Sequence, residues 1–565
     1  MIELRADGVY NTLFGDFYAP RQGALLQAEE VFLRGNRLFE RFCNEENLFV
    51  IGELGFGFGV NFCHTASVFL KLAPLRARLF FVSCELYLPS RELVSQVYSY
   101  HGLKNELSEE LLQLWPSKPF GYWYFTLARG RIALLLLKGA VPEVWEEFYG
   151  VVDAWYFDGF APAKNKEMWS TLLFKKLREF SHAETTFATY SVAVQVRQAL
   201  HEAGCSYEKI SGFPGKKEIL VGKMNGLSKR LRYYPSEAFV AGAGIAGSAL
   251  SYSLARRSIR VKLYDPHREP HGASGNRAAL VMPLLAHPQD IYARLIWRSY
   301  SYLCSHFGRE SFYLKRTFFY IARGRKLSYL ESFPFDYRSK GEGQELFLEG
   351  ALVLSREFCF FLREFHSSYV EFLEKGYDGP KNMSWLFWAL GEKSVDELSL
   401  YSLPVERYGG ELYTLPASAI GGLEQDKVYL ARYYIFALEN SWYVGGSYYL
   451  QGKKPEGIGL KEMVQELQSC FHFSYQEKGA EVRRSIRLVS RDRLPILGPL
   501  PGASNVGECA GPFLFTAFGS RGFTLGPLLA EALVSFACGE PLPIEKSLFF
   551  RLFLTRFLSR GFKIP

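Results

Sequence analysis

The chain has no apolar run near the ~18 residues that a membrane-spanning helix requires. Its densest, Ile132 to Leu137, is six residues long, so no membrane partner is expected. Residues Met1 to Asp7 lack a basic flank leading into an apolar stretch, and no secretory leader is expected. Nine cysteines, an odd number, are scattered from Cys43 to Cys538 without a C-x-x-C pair. That spacing favours neither a zinc site nor a disulfide framework, and a reducing cytoplasm is the natural setting. Internal repeats and low-complexity tracts are absent too. What remains is a soluble globular composition, 48% apolar and 22% charged. The net charge of +8 permits a polyanionic partner without demanding one. The aromatic excess, 48 Phe and 34 Tyr, is spread along the chain and is read as core.

At 565 residues the chain exceeds one ordinary core. Two Gly-rich turns sit far apart, Glu53 to Gly59 and Gly242 to Gly247, and each opens its own alternation of strands and helices. Between them, Met224 to Pro235 is polar, basic and ends in proline. The expected organisation is therefore a domain over 1–224, a linker over 225–235 and a second domain over 236–565. In the first half, Leu48 to Gly52, Leu79 to Cys84, Ala154 to Phe157, Thr185 to Ser191 and Glu218 to Lys223 read as strands, with a helix near Met168 to Phe180. This pattern predicts a doubly wound α/β sheet. In the second half, Ala238 to Ala241 and Arg260 to Tyr264 read as strands around a helix from Gly247 to Arg257. The stretch from Arg298 to Asp426 suggests a mixed sheet inserted into a nucleotide-binding fold.

The first glycine cluster, Gly55, Gly57 and Gly59, follows a buried strand and is preceded by Glu53. Such a turn lets backbone approach a ligand closely. Glu85 ends the next strand, where an acid can hold both ribose hydroxyls of a nucleoside cofactor. The E-x-G-x-G-x-G pattern fits S-adenosylmethionine (SAM) better than a dinucleotide. Asp158 follows the third predicted strand, where ligands sit in doubly wound sheets. A carboxylate there can hold an amine's hydrogens and aim its lone pair, with Phe160 packed against the substrate.

The second cluster is a complete dinucleotide fingerprint. Gly242, Gly244 and Gly247 stand between a strand and a helix, and Asp265 ends the following strand. NAD and FAD share it. The loop with Ala273, Ser274 and Asn276, and the turn from Gly519 to Gly522 that opens a late helix, tip the balance towards FAD. Arg493 and Arg521 are candidate clamps for a substrate carboxylate.

At these residues the chain resembles the bacterial family of bifunctional tRNA 5-methylaminomethyl-2-thiouridine biosynthesis proteins (MnmC). The matching strings are IGELGFGFGVNF (51–62), FDGFAPAKNKEMW (157–169), AGAGIAG (241–247), GASGNR (272–277), SRDRLPILGPLP (490–501) and GSRG (519–522). The resemblance implies an α/β chain in which a Rossmann-like SAM methyltransferase domain is fused to an FAD-binding domain. The second domain would be glycine-oxidase- or D-amino-acid-oxidase-like, with a mixed-sheet substrate subdomain. It implies an FAD domain that removes the carboxymethyl group from 5-carboxymethylaminomethyl-uridine in the tRNA anticodon. The SAM domain would then methylate the exposed amine. It also gives Asp158 the amine-holding role and Glu85 and Asp265 their ribose roles.

Two positions depart from the family. Ala140 stands where an acid suited to the adenine amino group is usual, and Lys166 where Pro is usual. An alternative keeps both cofactors but takes a small-molecule amine as substrate. Six basic residues, Lys216, Lys217, Lys223, Lys229, Arg230 and Arg232, are a candidate tRNA contact, as are Arg551, Arg556, Arg560 and Lys563. A monomer without metal is expected.

Overall fold

The computed structural model describes residues 2–5, 8–20, 23–115, 121–322, 330, 333–340, 345–398, 403–453, 459–500 and 511–560. Lys563 and Pro501 lie outside them. The chain divides into two compact units. The first comprises Met1–Tyr233 together with Ser535–Ser547, and the second Tyr234–Val534 together with Leu548–Pro565.

The first unit is built on an eight-stranded sheet. Its centre is Leu48–Leu54, flanked in parallel by Arg78–Glu85 on one side and Val152–Phe157 on the other. All seven residues of Leu48–Leu54 are buried, as a strand covered on both faces must be. The chain fills one half of the sheet first, ending with Ile132–Lys138 parallel to Arg78–Glu85 and Tyr122–Leu127 antiparallel at the edge. It then crosses to Val152–Phe157 and the parallel strand Ser181–Thr189. Lys216–Lys223 runs antiparallel to Ser181–Thr189, and Ser206–Phe213 completes an antiparallel edge. The reversal between Leu48–Leu54 and Val152–Phe157 leaves a crevice at the strand C-termini, where open α/β sheets bind ligands. A separate three-stranded sheet, Ile2–Arg5, Gly8–Asn11 and Asp16–Pro20, supplies further residues to that crevice.

Much of the aromatic excess is core: Phe32, Phe42, Phe62, Phe69, Phe81, Trp145, Trp155 and Tyr156 are fully buried. The predicted linker is partly anchored. Arg232 and Arg230 bond the buried carboxylate of Asp153 at 2.8 and 2.9 Å. Asp153 also accepts from the Val50 amide at 2.7 Å and lies 3.1 Å from the His182 ring. Glu540, from the returning segment, forms an ion pair with Arg78, and both side chains are buried.

The second unit has a six-stranded sheet in the order Val370–Leu373, Arg260–Tyr264, Glu237–Ala241, Leu386–Trp388, Phe513–Thr516, Ile496–Pro499. All neighbours are parallel except the last pair. The expected mixed sheet is present with ten strands, mostly antiparallel, with one parallel pairing of Tyr313–Ile321 and Lys427–Leu430. Two strands within the predicted insertion, Val370–Leu373 and Leu386–Trp388, instead complete the nucleotide-binding sheet.

Two candidate active sites

The first unit holds a cavity of about 440 Å³ at its sheet reversal. Gly55, Gly57, Glu85, Ala140, Asp158 and Phe160 all line it. Gly55 and Gly57 have φ of 91° and 55°, a backbone that favours glycine. A Cβ on Gly55 would stand 2.4 Å from the Asp158 carbonyl oxygen, so that glycine lets the two ligand-bearing turns meet. Glu85 accepts from the amides of Gly57 and Tyr87, at 2.9 and 3.0 Å. Its carboxylate thus braces the glycine turn while facing the cavity. These features fit SAM: a glycine turn open to the ligand, an acid at the ribose position and an aromatic wall. Ala140, which brings no acid, lines the cavity together with Gly139 and Val141.

Glu53 and Gly59 do not line the cavity. Gly59, at φ 74°, starts the helix Val60–Leu72, and its Cβ position is closed by the Phe56 ring. Glu53 is buried on the face of its strand that meets the helix Val60–Leu72. Its carboxylate accepts from Ser83 Oγ at 2.7 Å and from Asn61 Nδ2 at 2.9 Å. The same Asn61 Nδ2 donates to Asp158 Oδ2 at 2.7 Å. One amide therefore bridges a deep carboxyl and a cavity carboxyl. Burial pushes Glu53 up to about 8 and Asp158 up to about 6, with Asn61 restraining both. Phe160 stacks on Phe14, centroids 4.9 Å apart, and meets the edge of Tyr18. The sequence reading missed Asn61, although it lies within the quoted glycine string.

The second unit's cavity is about 380 Å³. Gly242, Gly244, Asp265, Ala273, Ser274, Asn276, Gly519, Arg521 and Gly522 line it. Asp265 accepts from the Ala243 and His267 amides at 2.8 and 2.9 Å. Ser274 Oγ accepts from the Ile245 amide at 3.1 Å, at the first turn of the helix Ile245–Ala255. A Cβ on Gly244 would come within 2.8 Å of Ser274 Oγ, so this approach needs glycine. Gly247 lies behind the cavity, where a Cβ would sit 1.7 Å from the Gly242 carbonyl oxygen; its part is the close packing of helix on strand. The long cavity wall, the buried acid and two helix starts, Ile245 and Gly522, suit the pyrophosphate and ring system of FAD.

The two predicted arginines separate. Arg521 lines the cavity, donates to the Met282 carbonyl at 3.3 Å and is drawn below the usual arginine range by burial. Arg493 is exposed, at φ 64°, and is not part of the lining. Arg487 takes its place in the cavity wall. Among the described residues neither Arg487 nor Arg521 forms an ion pair with a carboxylate, so both cations face the cavity uncommitted. Arg487 was legible in principle. Alternate residues of the strand Glu481–Ser490 share a face, and Arg483 on that face reaches the Gly272 carbonyl at 2.9 Å. Among the described residues no cluster of metal-ligating side chains is present, and no helix is long and apolar enough to cross a membrane.

Comparison with known proteins agrees with both halves. Residues 103–225 match the family model described as S-adenosyl-L-methionine-dependent methyltransferase, and 237–358 match FAD dependent oxidoreductase. The tRNA 5-methylaminomethyl-2-thiouridine biosynthesis bifunctional protein MnmC of Nitrosospira multiformis is 38% identical over 305 residues. That alignment takes in 54% of this chain and about half, 49%, of the relative. The proteins of the same name from Methylobacillus flagellatus and Aeromonas hydrophila are each 28% identical, over 98% and 97% of this chain and 94% and 95% of theirs. Among solved structures, iminodiacetate oxidase from Chelativorans sp. BNC1 is 20% identical over 54% of this chain and 96% of its own, with a TM-score of 0.42. The cofactors are SAM and FAD, and the chain is similar to these MnmC proteins over nearly its full length and nearly theirs.

Proposed function

We propose that the chain modifies a wobble uridine of tRNA in two steps. The second unit converts 5-carboxymethylaminomethyl-uridine to the 5-aminomethyl form, and the first unit methylates that amine to 5-methylaminomethyl-uridine. The observation that carries this reading is the chemical fit of the two cavities. One presents two unpaired guanidinium groups, suited to a carboxylate. The other presents a buried carboxylate, suited to an amine. The product of the first is the substrate of the second.

In the oxidising cavity, Arg487 and Arg521 hold the carboxymethyl carboxylate and fix the adjacent C–H bond in place. FAD held along Gly242, Gly244, Asp265 and Ser274 would supply the two-electron oxidant for that carbon, and hydrolysis of the oxidised C–N bond would give the free amine and a two-carbon aldehyde acid. In the methylating cavity, Asp158 takes a proton from the ammonium and keeps a hydrogen bond to the neutral amine. Its lone pair is then aimed for in-line transfer from the sulfonium methyl. Phe160, already stacked on Phe14, offers the uracil a flat wall. Gly244→Glu, which places bulk and negative charge at the pyrophosphate turn, should leave the carboxymethylaminomethyl nucleoside in tRNA. Asp158→Ala should stop at the aminomethyl nucleoside. Mass spectrometry of digested tRNA reads both, and equal loss of oxidation in a folded, flavin-loaded Asp158→Ala protein would refute the two-site scheme.

A further inference from the structure

The oxidising cavity has a feature that binding a carboxylate does not use. Tyr408 and Tyr448 stack face to face, with centroids 4.4 Å apart and planes 14° from parallel. Tyr408 lies on the long strand Val405–Pro416, and its hydroxyl donates to Glu406 at 3.0 Å. Tyr448 follows the strand Ser441–Gly445, which pairs with the same long strand. The turn before it is fixed by Gly446 at φ 109° and by buried Ser447, whose Oγ accepts from the Glu411 amide at 2.7 Å. The two rings therefore form a preset plate rather than two free side chains. Tyr448 lines the cavity and is nevertheless 46% exposed. An aromatic ring in that position normally loses free energy to water, and here its fixed partner keeps it there. Arg493, exposed and without an ion pair among the described residues, is an electrostatic neighbour of Tyr408 and of Tyr448.

The substrate substituent is short. If its carboxylate reaches Arg487 and Arg521, the uracil that carries it must stop at the cavity mouth, unstacked from its neighbours in the RNA. Single-stranded bases held this way are stacked on aromatic side chains, with cations on the flanking phosphates. We propose that Tyr448, backed by Tyr408, is the stacking platform for the uracil of the oxidation substrate, and that Arg493 holds an adjacent phosphate. This rests on the two-step reading above and assigns the base-binding part of its first site.

The test uses the full-length, FAD-loaded protein and tRNA carrying 5-carboxymethylaminomethyl-uridine. Tyr448→Leu should raise KM for this tRNA about tenfold, in the range expected for one lost base–aromatic stack. Flavin reduction at saturating tRNA should stay within about twofold, since stacking of the held base is a binding contribution. Tyr448→Phe should keep the wild-type KM. Arg493→Ala should weaken tRNA binding and lower the slope of log Kd against log salt by about one. Unchanged KM in Tyr448→Leu, or Tyr448→Phe as damaging as Tyr448→Leu, overturns the platform. A salt slope unaltered in Arg493→Ala overturns the phosphate contact. Failure of the wild-type protein to reduce its flavin with this tRNA would instead overturn the parent reading.

Discussion

Replacing Asn61 by leucine removes the amide that joins Glu53 to Asp158 and keeps the branching and heavy-atom count of the side chain. Asn61 donates to Asp158 at 2.7 Å, in a site where burial alone drives the carboxyl upward. A hydrogen bond to a charged group contributes about 1.5–3 kcal/mol, which corresponds to roughly one to two pKa steps at ~1.4 kcal/mol each. The carboxyl of Asp158, at about 6 in the intact site, should therefore move to about 7–8 in the variant. The ionised form is the one that holds the amine. At pH 7 the variant should methylate about 2- to 10-fold more slowly, and at pH 5 about 10- to 100-fold more slowly, with the rates converging above about pH 9. The substrate amine titrates too, but identically in both proteins, so the ratio of their rates reports the carboxyls that Asn61 contacts, Asp158 and behind it Glu53. Single-turnover methyl transfer from labelled SAM to tRNA bearing the aminomethyl nucleoside, between pH 5 and 9.5, measures that ratio. A ratio independent of pH refutes the argument and reduces Asn61 to a packing residue.

Two further outcomes are expected. Arg487→Ala and Arg521→Ala should each lower kcat/KM for the carboxymethyl substrate by roughly 10- to 150-fold, the loss of one charge-assisted contact, with FAD retained on gel filtration; normal kinetics in either removes that arginine from the clamp. Asp153→Ala leaves Arg232, only 6% exposed, without its carboxylate, and should destabilise the first unit by about 3–5 kcal/mol in urea denaturation. Burial alone would raise the Asp153 carboxyl, but Arg232, His182 and Arg230 hold it well below the usual range. Its stabilisation is therefore present above about pH 4, the unfolded value, and is lost as pH falls through the lower folded value. The gap between wild type and Asp153→Asn should be constant from pH 8 to 5 and narrow only below; a gap that widens with acid contradicts the assignment.

The parts legible in the sequence are those written in local signals. Glycines at 55, 57 and 242 announce turns whose backbone geometry only glycine accepts easily, Gly244 allows a close approach of Ser274, and Glu85, Asp158 and Asp265 stand where strands end. The strand Ile132–Lys138 carries one of the strongest apolar runs in the chain, yet length alone does not separate a buried strand from a buried helix segment. The strands Val370–Leu373 and Leu386–Trp388 are four and three residues long, too short to show a period, and their place in the sheet follows from long-range pairing. Arg493 and Arg487 illustrate the same limit. Arg487 lies on the strand Glu481–Ser490 and lines the cavity, whereas Arg493 follows that strand in a turn at φ 64° and does not, a difference that spacing alone does not reveal. Arg230 and Arg232 looked like a solvated, RNA-facing cluster, because nothing nearby in sequence reveals the acid, Asp153, that binds them.

The return of Ser535–Ser547 to the first unit has a consequence for biosynthesis. The first unit's residues up to Tyr233 are made first, but Glu540, the partner of Arg78, follows only after Tyr234–Val534 of the second unit has been made. At ~5–20 residues per second, the roughly 300 intervening residues take about 15–60 s to synthesise. During that interval the methylating head waits with Arg78 lacking its carboxylate. A nascent chain broken off before Glu540 would leave Arg78 of the methylating head permanently without that carboxylate, so the completion of this buried ion pair is tied to synthesis of most of the oxidising head.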